Sequence, residues 1–274
     1  MSKWKTCALA AVFVAAAGFV YGISPKGELP ADLRDAVADN PAGFDNSILG
    51  SATSNGEIPA PRAPQPVAKA ATDAPDGVPV KKIGCYFNGA PPGSQAPLLI
   101  YYRGWLSGTN YPGGGLSGGK ITGEANILRS SRAGLKYYKL KQLALEKGLV
   151  VLVTGSSDIP VTQADIANLQ NELGYVFPRV YVAGHSGGWS GLSFSIDSLE
   201  RVDRIVLLDL FYSDFGAKVL ARTQNGTACG GYYTPHNKAR YQKWFSGSNC
   251  AVDESLSAGD HDAWVAPSLK KNIP

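Results

Sequence analysis

The sequence predicts an α/β fold with a mostly parallel central sheet flanked by helices. Three observations predict it. Short apolar runs of the length of buried strands recur at 97–102, 149–154, 179–183 and 204–210. Segments with helical spacing separate them, and strands apolar on both faces imply a parallel sheet covered on both sides. The composition is globular, with 44% hydrophobic and 18% charged residues in a chain of 274.

The elements follow in order. Residues 1–22 read as a signal peptide or N-terminal anchor. A basic start, Ser2-Lys3-Trp4-Lys5, precedes an uncharged apolar stretch at 7–20, and Val20-Tyr21-Gly22 is an acceptable cleavage site. Residues 7–25 are uncharged and almost reach the ~20 residues of a membrane span, so an uncleaved tether is the alternative. Residues 23–80 form a Pro/Ala-rich linker, expected to be disordered because it holds too little apolar surface to offset ordering. A short helix at 31–38 is its one expected element.

The domain expected at 81–274 opens with the strand 97–102 (PLLIYY), followed by a Gly-rich stretch at 104–123. A helix over 133–147 follows from the spacing of Leu135, Tyr138, Leu143 and Ala144, with Gly148 at its end. The strand 149–154 comes next. Thr162 and Asp165 make a capping box for a helix whose inner face is Ile166, Leu169 and Leu173. Strands at 179–183 and 204–210 flank a helix-compatible stretch at 189–198. Two weaker strands, 230–234 and 249–254, bracket a helix at 237–245.

Several function classes are disfavoured. The net charge of +4 comes without a dense Lys/Arg run, so nucleic-acid binding has no electrostatic footprint. There is no CxxC pair and no HExxH, which argues against a zinc ribbon, a thioredoxin-type site and a zincin. Gly114-x4-Gly119-Lys120 mimics a phosphate loop, but Ile121 stands where Ser or Thr would bind Mg²⁺. That stretch reads instead as a loop beside a pocket.

The strand 179–183 runs into Gly184-His185-Ser186-Gly187-Gly188, a G-x-S-x-G between a strand and a helix. That context is a nucleophile elbow, with Ser186 as nucleophile. The competing reading is a Gly-rich turn whose serine only caps the helix. The chain has three histidines, and only His185 precedes Ser186. An immediate neighbour is poorly placed to be the base, so His185 reads as a residue that packs in or supports the elbow. The base must come later, which leaves the order Ser…Asp…His.

His261, in Gly259-Asp260-His261-Asp262, is expected in a loop just beyond the last strand, where an imidazole can swing over the serine, and is the expected base. His236 is the competitor, and otherwise a surface or capping residue. The acid should end a strand. Asp209, surrounded by Leu and Phe, is costly to bury unless it has a partner such as an imidazole. Asp214 is the runner-up. Asp260 and Asp262 are expected to face solvent or nearby backbone. The expected oxyanion donors are the backbone N–H groups of Gly187 and of Gly104 or Trp105. Trp189 and Tyr111, with Trp105, are candidates to line an apolar substrate pocket. Asn225-Gly226-Thr227 is a glycosylation sequon of little weight alone.

Export would put Cys85, Cys229 and Cys250 in an oxidising compartment. Three pairings are open. If the strands beginning near Cys229 and Cys250 are neighbours, that pair closes a loop of about twenty residues, for ~3 kcal/mol.

Taken together, VYVAGHSGG (180–188), RIVLLD (204–209) and the late histidine in GDHD (259–262) resemble the α/β-hydrolase superfamily over roughly residues 95–265. The chain is similar to small exported serine hydrolases, esterase- or lipase-like, whose acid follows the strand next after the elbow. It departs from the family's usual pattern in two places. No carboxylate follows the strand one later, and Arg103-Gly104-Trp105 replaces a His-Gly-rich oxyanion loop. No cap domain is evident. The resemblance implies a site at the C-terminal edge of the sheet and hydrolysis of a small-molecule or polymer carboxylic ester through an acyl-enzyme, with no metal or organic cofactor. An exported peptidase or amidase with the same triad is the nearest alternative. A non-catalytic binding module is the third.

Overall fold

The computed structural model describes residues 76–91, 93–104, 121–210, 215–257 and 259–274. Eight strands form one sheet in the order β1-β2-β4-β3-β5-β6-β7-β8. They are β1 (Val78–Val80), β2 (Gly84–Asn88), β3 (Leu98–Tyr102), β4 (Val150–Thr154), β5 (Val180–His185), β6 (Arg204–Leu208), β7 (Ala228–Tyr233) and β8 (Ala251–Glu254). β1 pairs antiparallel with β2, and β2 antiparallel with β4; the pairs from β4 to β8 are parallel. This is the mostly parallel, helix-flanked sheet expected from the sequence.

The helices are α1 (Glu124–Tyr137), α2 (Leu140–Lys147), α3 (Gln163–Leu173), α4 (Trp189–Ser198), α5 (Gly216–Gln224), α6 (Lys238–Phe245), α7 (Asp260–Ala263) and α8 (Val265–Asn272). Because side chains alternate along a strand, each strand feeds two cores. Leu98, Ile100, Val182 and Leu207 pack with Ile166 and Leu169 of α3 and with Leu192, Ile196 and Val219. Leu99, Tyr101, Ala183 and Leu208 pack on the other face with Leu135 of α1, Leu140 and Leu143 of α2, and Val265 and Leu269 of α8. Each aliphatic side chain fully buried this way contributes about 1.5–3 kcal/mol.

The chain leaves β3 towards β4 on one side and returns to β5 on the other. β3 and β5 are therefore neighbours whose connections run in opposite directions. Such a switch point opens a crevice at the C-terminal ends of the two strands, where Gly104 and Ser186 lie.

Four features differ from the sequence reading. β1 and β2 were not legible as strands, and β1 lies before the expected domain start at residue 81. Pro79 fits there because β1 is an edge strand. The helix expected at 133–147 begins at Glu124 and breaks at Lys139, whose φ of 53° is left-handed. His261 sits on the helical turn α7 rather than in a loop, and α8 follows it. The capping box of Thr162 and Asp165 is present as expected. The signal, the linker and the helix at 31–38 lie outside the described residues. Among the described residues, no helix is long and apolar enough to cross a membrane.

β7 and β8 are neighbours, and a disulfide joins Cys229 to Cys250. Cys85 is a buried free thiol. Burial pushes its pKa up, which makes it a poor nucleophile.

Gly231 of β7 faces Leu207 of β6 so closely that a Cβ would lie 1.9 Å from the Leu207 carbonyl oxygen. Gly231→Ala is expected to cost at least about 2 kcal/mol. Gly226 also has a positive φ, of 91°, but a Cβ there meets nothing within 4 Å. Gly226→Ala should cost only about 1 kcal/mol. Urea unfolding of both variants checks this; equal losses would contradict the packing.

Candidate active site

Ser186 follows the last residue of β5 and opens a tight helical turn (Ser186–Gly188) that leads into α4. Its φ is 50°, a left-handed conformation unusual for a serine. A Cβ at Gly188 would lie 2.4 Å from the Tyr102 carbonyl oxygen at the end of β3, so the turn can sit this close only without one. Gly104, just past β3, approaches from the other side. A Cβ there would lie 2.8 Å from Ser186 Cβ. Gly104 and Gly187, the two expected glycine donors, thus lie in contact with or next to Ser186.

Asp209 stands one strand over, immediately after β6. It too has a left-handed φ, of 51°, which Asp tolerates better than most residues. Its side chain is 2% exposed. A buried carboxylate needs donors, and it has several. Thr234 donates from its backbone nitrogen at 2.8 Å and from Oγ1 at 3.0 Å. Asn237 Nδ2 donates at 2.7 Å, and His261 Nδ1 at 2.6 Å. Thr234 and Asn237 come from the segment after β7, the strand beside β6.

His261 arrives on α7, a turn with no buried residue of its own. Its side chain is 32% exposed. With Nδ1 engaged by Asp209, Nε2 is the nitrogen left for chemistry. The main-chain carbonyl of His261 accepts from Tyr232 Oη and from His185 Nε2, the latter at 3.0 Å. The rings of His185 and His261 lie 4.6 Å apart. His185 points to this face because it continues the alternation of Tyr181 and Ala183.

Burial alone would raise the pKa of Asp209. Hydrogen bonds from His261, Asn237 and Thr234 outweigh it and hold the carboxyl below the ordinary carboxylate range. Burial likewise opposes a charge on His261, but the hydrogen bond and charge of Asp209, with the charge of Asp262, hold its pKa above the ordinary imidazole value. The pair therefore favours an ionised acid beside an imidazole that readily takes a proton.

The structure thus brings Asp209 and His261 into contact and leaves His236 exposed on a separate turn after β7. Asp260 accepts from the Ser257 backbone nitrogen at 3.0 Å, and Asp262 Oδ1 lies 2.9 Å from Tyr138 Oη. Trp189 is half-buried at the start of α4 and packs against the core beneath it. Trp105, Tyr111, Asp214 and the loop 114–120 lie outside the described residues. The sequence reading missed Thr234, Asn237, Tyr138 and Tyr232. The one signal available was that the segment after β7 carries Thr-Pro-His-Asn, donors rather than a carboxylate.

Among solved structures, the chain is similar to an S-formylglutathione hydrolase from Agrobacterium tumefaciens, at 11% identity and a TM-score of 0.41, over 66% of this chain and 83% of that one. No protein-family model matches the chain, and no curated protein matches it.

The geometry sets the titration of His261. Its pKa, followed by NMR, should lie above the ordinary 6.5. In Asp209→Asn it should fall, because the neutral amide no longer favours the imidazolium. A value unchanged by that substitution would contradict the pairing.

Proposed function

We propose that this protein is an exported serine hydrolase that cleaves carboxylic esters through Ser186, His261 and Asp209. The observation that carries the reading is the 2.6 Å contact between Asp209 and His261 Nδ1 at the end of the sheet where Ser186 sits on a left-handed turn.

In this reading Ser186 Oγ attacks the ester carbonyl carbon while His261 Nε2 takes its proton. The carbonyl π electrons move onto oxygen, and the backbone N–H groups of Gly187 and Gly104 or Trp105 hold the resulting oxyanion. When the tetrahedral intermediate collapses, His261 returns the proton to the leaving alcohol oxygen. Water, activated by the same imidazole, then releases the acid and restores Ser186. Asp209 keeps Nδ1 protonated and Nε2 bare, and stabilises the imidazolium of each step. Because His261 must be neutral to act as base, activity should fall as pH drops through its raised pKa.

Trp189, Tyr111 and Trp105 would line the pocket that accepts the acyl or alcohol group. Export rests on the N-terminal sequence, and the Cys229–Cys250 disulfide suits an oxidising compartment. If the signal is retained, residues 7–25 would tether the domain to a membrane.

The test is hydrolysis of short and long p-nitrophenyl esters by the wild-type chain and three variants. Ser186→Ala and His261→Ala should each lower kcat by about 10⁶-fold, and Asp209→Asn by roughly 10⁴-fold. Wild type should also react with a fluorophosphonate at Ser186. Labelling without ester turnover would favour a peptidase or amidase. Neither labelling nor turnover would leave a non-catalytic binding module.

A further inference from the structure

His185 is a buried titratable side chain that the acyl-transfer chemistry does not itself use. It ends β5 and is 1% exposed. Tyr138 meets its ring edge-on at 5.3 Å between centroids, and the His261 ring lies on another side at 4.6 Å. A Cβ on Gly104 would lie 3.0 Å from its Nδ1.

Its two nitrogens have different partners. Nε2 lies 3.0 Å from the main-chain carbonyl oxygen of His261. A carbonyl only accepts, so Nε2 carries a hydrogen. Nδ1 lies 3.1 Å from Tyr138 Oη. That same hydroxyl lies 2.9 Å from Asp262 Oδ1. Tyr138 has one hydrogen to give, and its direction fixes the charge of His185.

If the hydroxyl turns to Asp262, Nδ1 must carry a second hydrogen. His185 would then be a buried cation beside the ring that must itself become charged in the proposed reaction. If it turns to Nδ1, His185 is neutral, and Asp262, whose side chain is 40% exposed, is served by water. The groups facing His185 are Tyr138, His261, Asp262 at 3.7 Å from Nε2, and Asp209 through His261. Burial pushes its pKa down, and the His261 charge adds to this, to about 4 against the pull of the two carboxylates. The neutral form wins across the physiological range.

We propose that His185 is a positioning residue for the base: as the neutral Nε2–H tautomer it pins the main-chain carbonyl of His261, and Tyr138 keeps it neutral by donating to the bare Nδ1. The kinetic consequence rests on the serine-hydrolase reading; the tautomer does not. α7 buries no side chain of its own, and the two bonds to this carbonyl, from His185 and Tyr232, fix the main chain of the turn that carries the base. Asp209 fixes the imidazole ring and His185 fixes the backbone beneath it. Releasing the backbone by even ~1 Å costs up to about 100-fold in rate.

Two-bond ¹H–¹⁵N correlation of the full chain reads the tautomer directly, since the sequence holds only three histidines. His185→Gln identifies the His185 signals by their loss. From roughly pH 5.5 to pH 8, where an ordinary histidine titrates, His185 should keep one protonated nitrogen, Nε2. Protonation at Nδ1, alone or with Nε2, in neutral solution overturns the proposal. In Tyr138→Phe the bare Nδ1 loses its donor, so its ¹⁵N signal should move downfield while Nε2 stays protonated; an unchanged spectrum overturns the part given to Tyr138. In ester hydrolysis, His185→Gln keeps a donor near Nε2 and should hold kcat within about threefold, whereas His185→Leu should lose about 10–100-fold with KM little changed. Wild-type kcat in His185→Leu overturns the pin. A Ser186 inert to fluorophosphonate would overturn the hydrolase reading and leave the tautomer result standing.

Discussion

Asp209 carries its charge at the end of a strand with almost no access to water, and the candidate site is organised by its need for donors. A lone carboxylate in that position would be neutralised or expelled. Here Thr234, Asn237 and His261 surround it. Two of the three come from the segment after β7, so the parallel pairing of β6 with β7 is what places donors beside the acid. The third comes from α7, beyond β8, the strand that the Cys229–Cys250 bridge ties to β7. The acid thus couples the last third of the sheet to the end of β5.

The segment after β7 holds no carboxylate of its own at Thr234–Asn237. That segment still serves the acid, through a hydroxyl, a backbone N–H and a side-chain amide. The acid of the proposed mechanism follows β6, the strand beside β5. In the proposed mechanism Asn237 and Thr234 keep Asp209 ionised while His261 gains and loses its proton, so the acid remains an acceptor throughout.

Much of the sheet was legible because β3, β4, β5 and β6 are apolar on both faces and helices separate them. β1 was not, since a three-residue edge strand holding a proline carries no periodic signal, and neither was β2, a five-residue run that begins with Gly84 and ends with Asn88. The break at Lys139 was hidden because Tyr138 and Leu143 keep helical spacing across it; only the left-handed backbone at Lys139 ends α1. At the site, Ser186 and the late His261 stood out through order and scarcity, and Asp209 through its apolar neighbours. Asn237 and Tyr138 were invisible, because what matters about them is a partner 28 residues away in one case and 47 and 124 in the other. Spacing along a chain does not encode such pairs.

The central claim is that Ser186 forms a covalent acyl intermediate through the imidazole that Asp209 holds. The most direct measurement is mass spectrometry of the full chain, acid-quenched during turnover of p-nitrophenyl acetate and then digested. The account predicts one acetyl group on the peptide containing Ser186 in the wild-type chain and none in His261→Ala. An unmodified Ser186 during measurable turnover, or acetylation of Ser186 undiminished in His261→Ala, would contradict it.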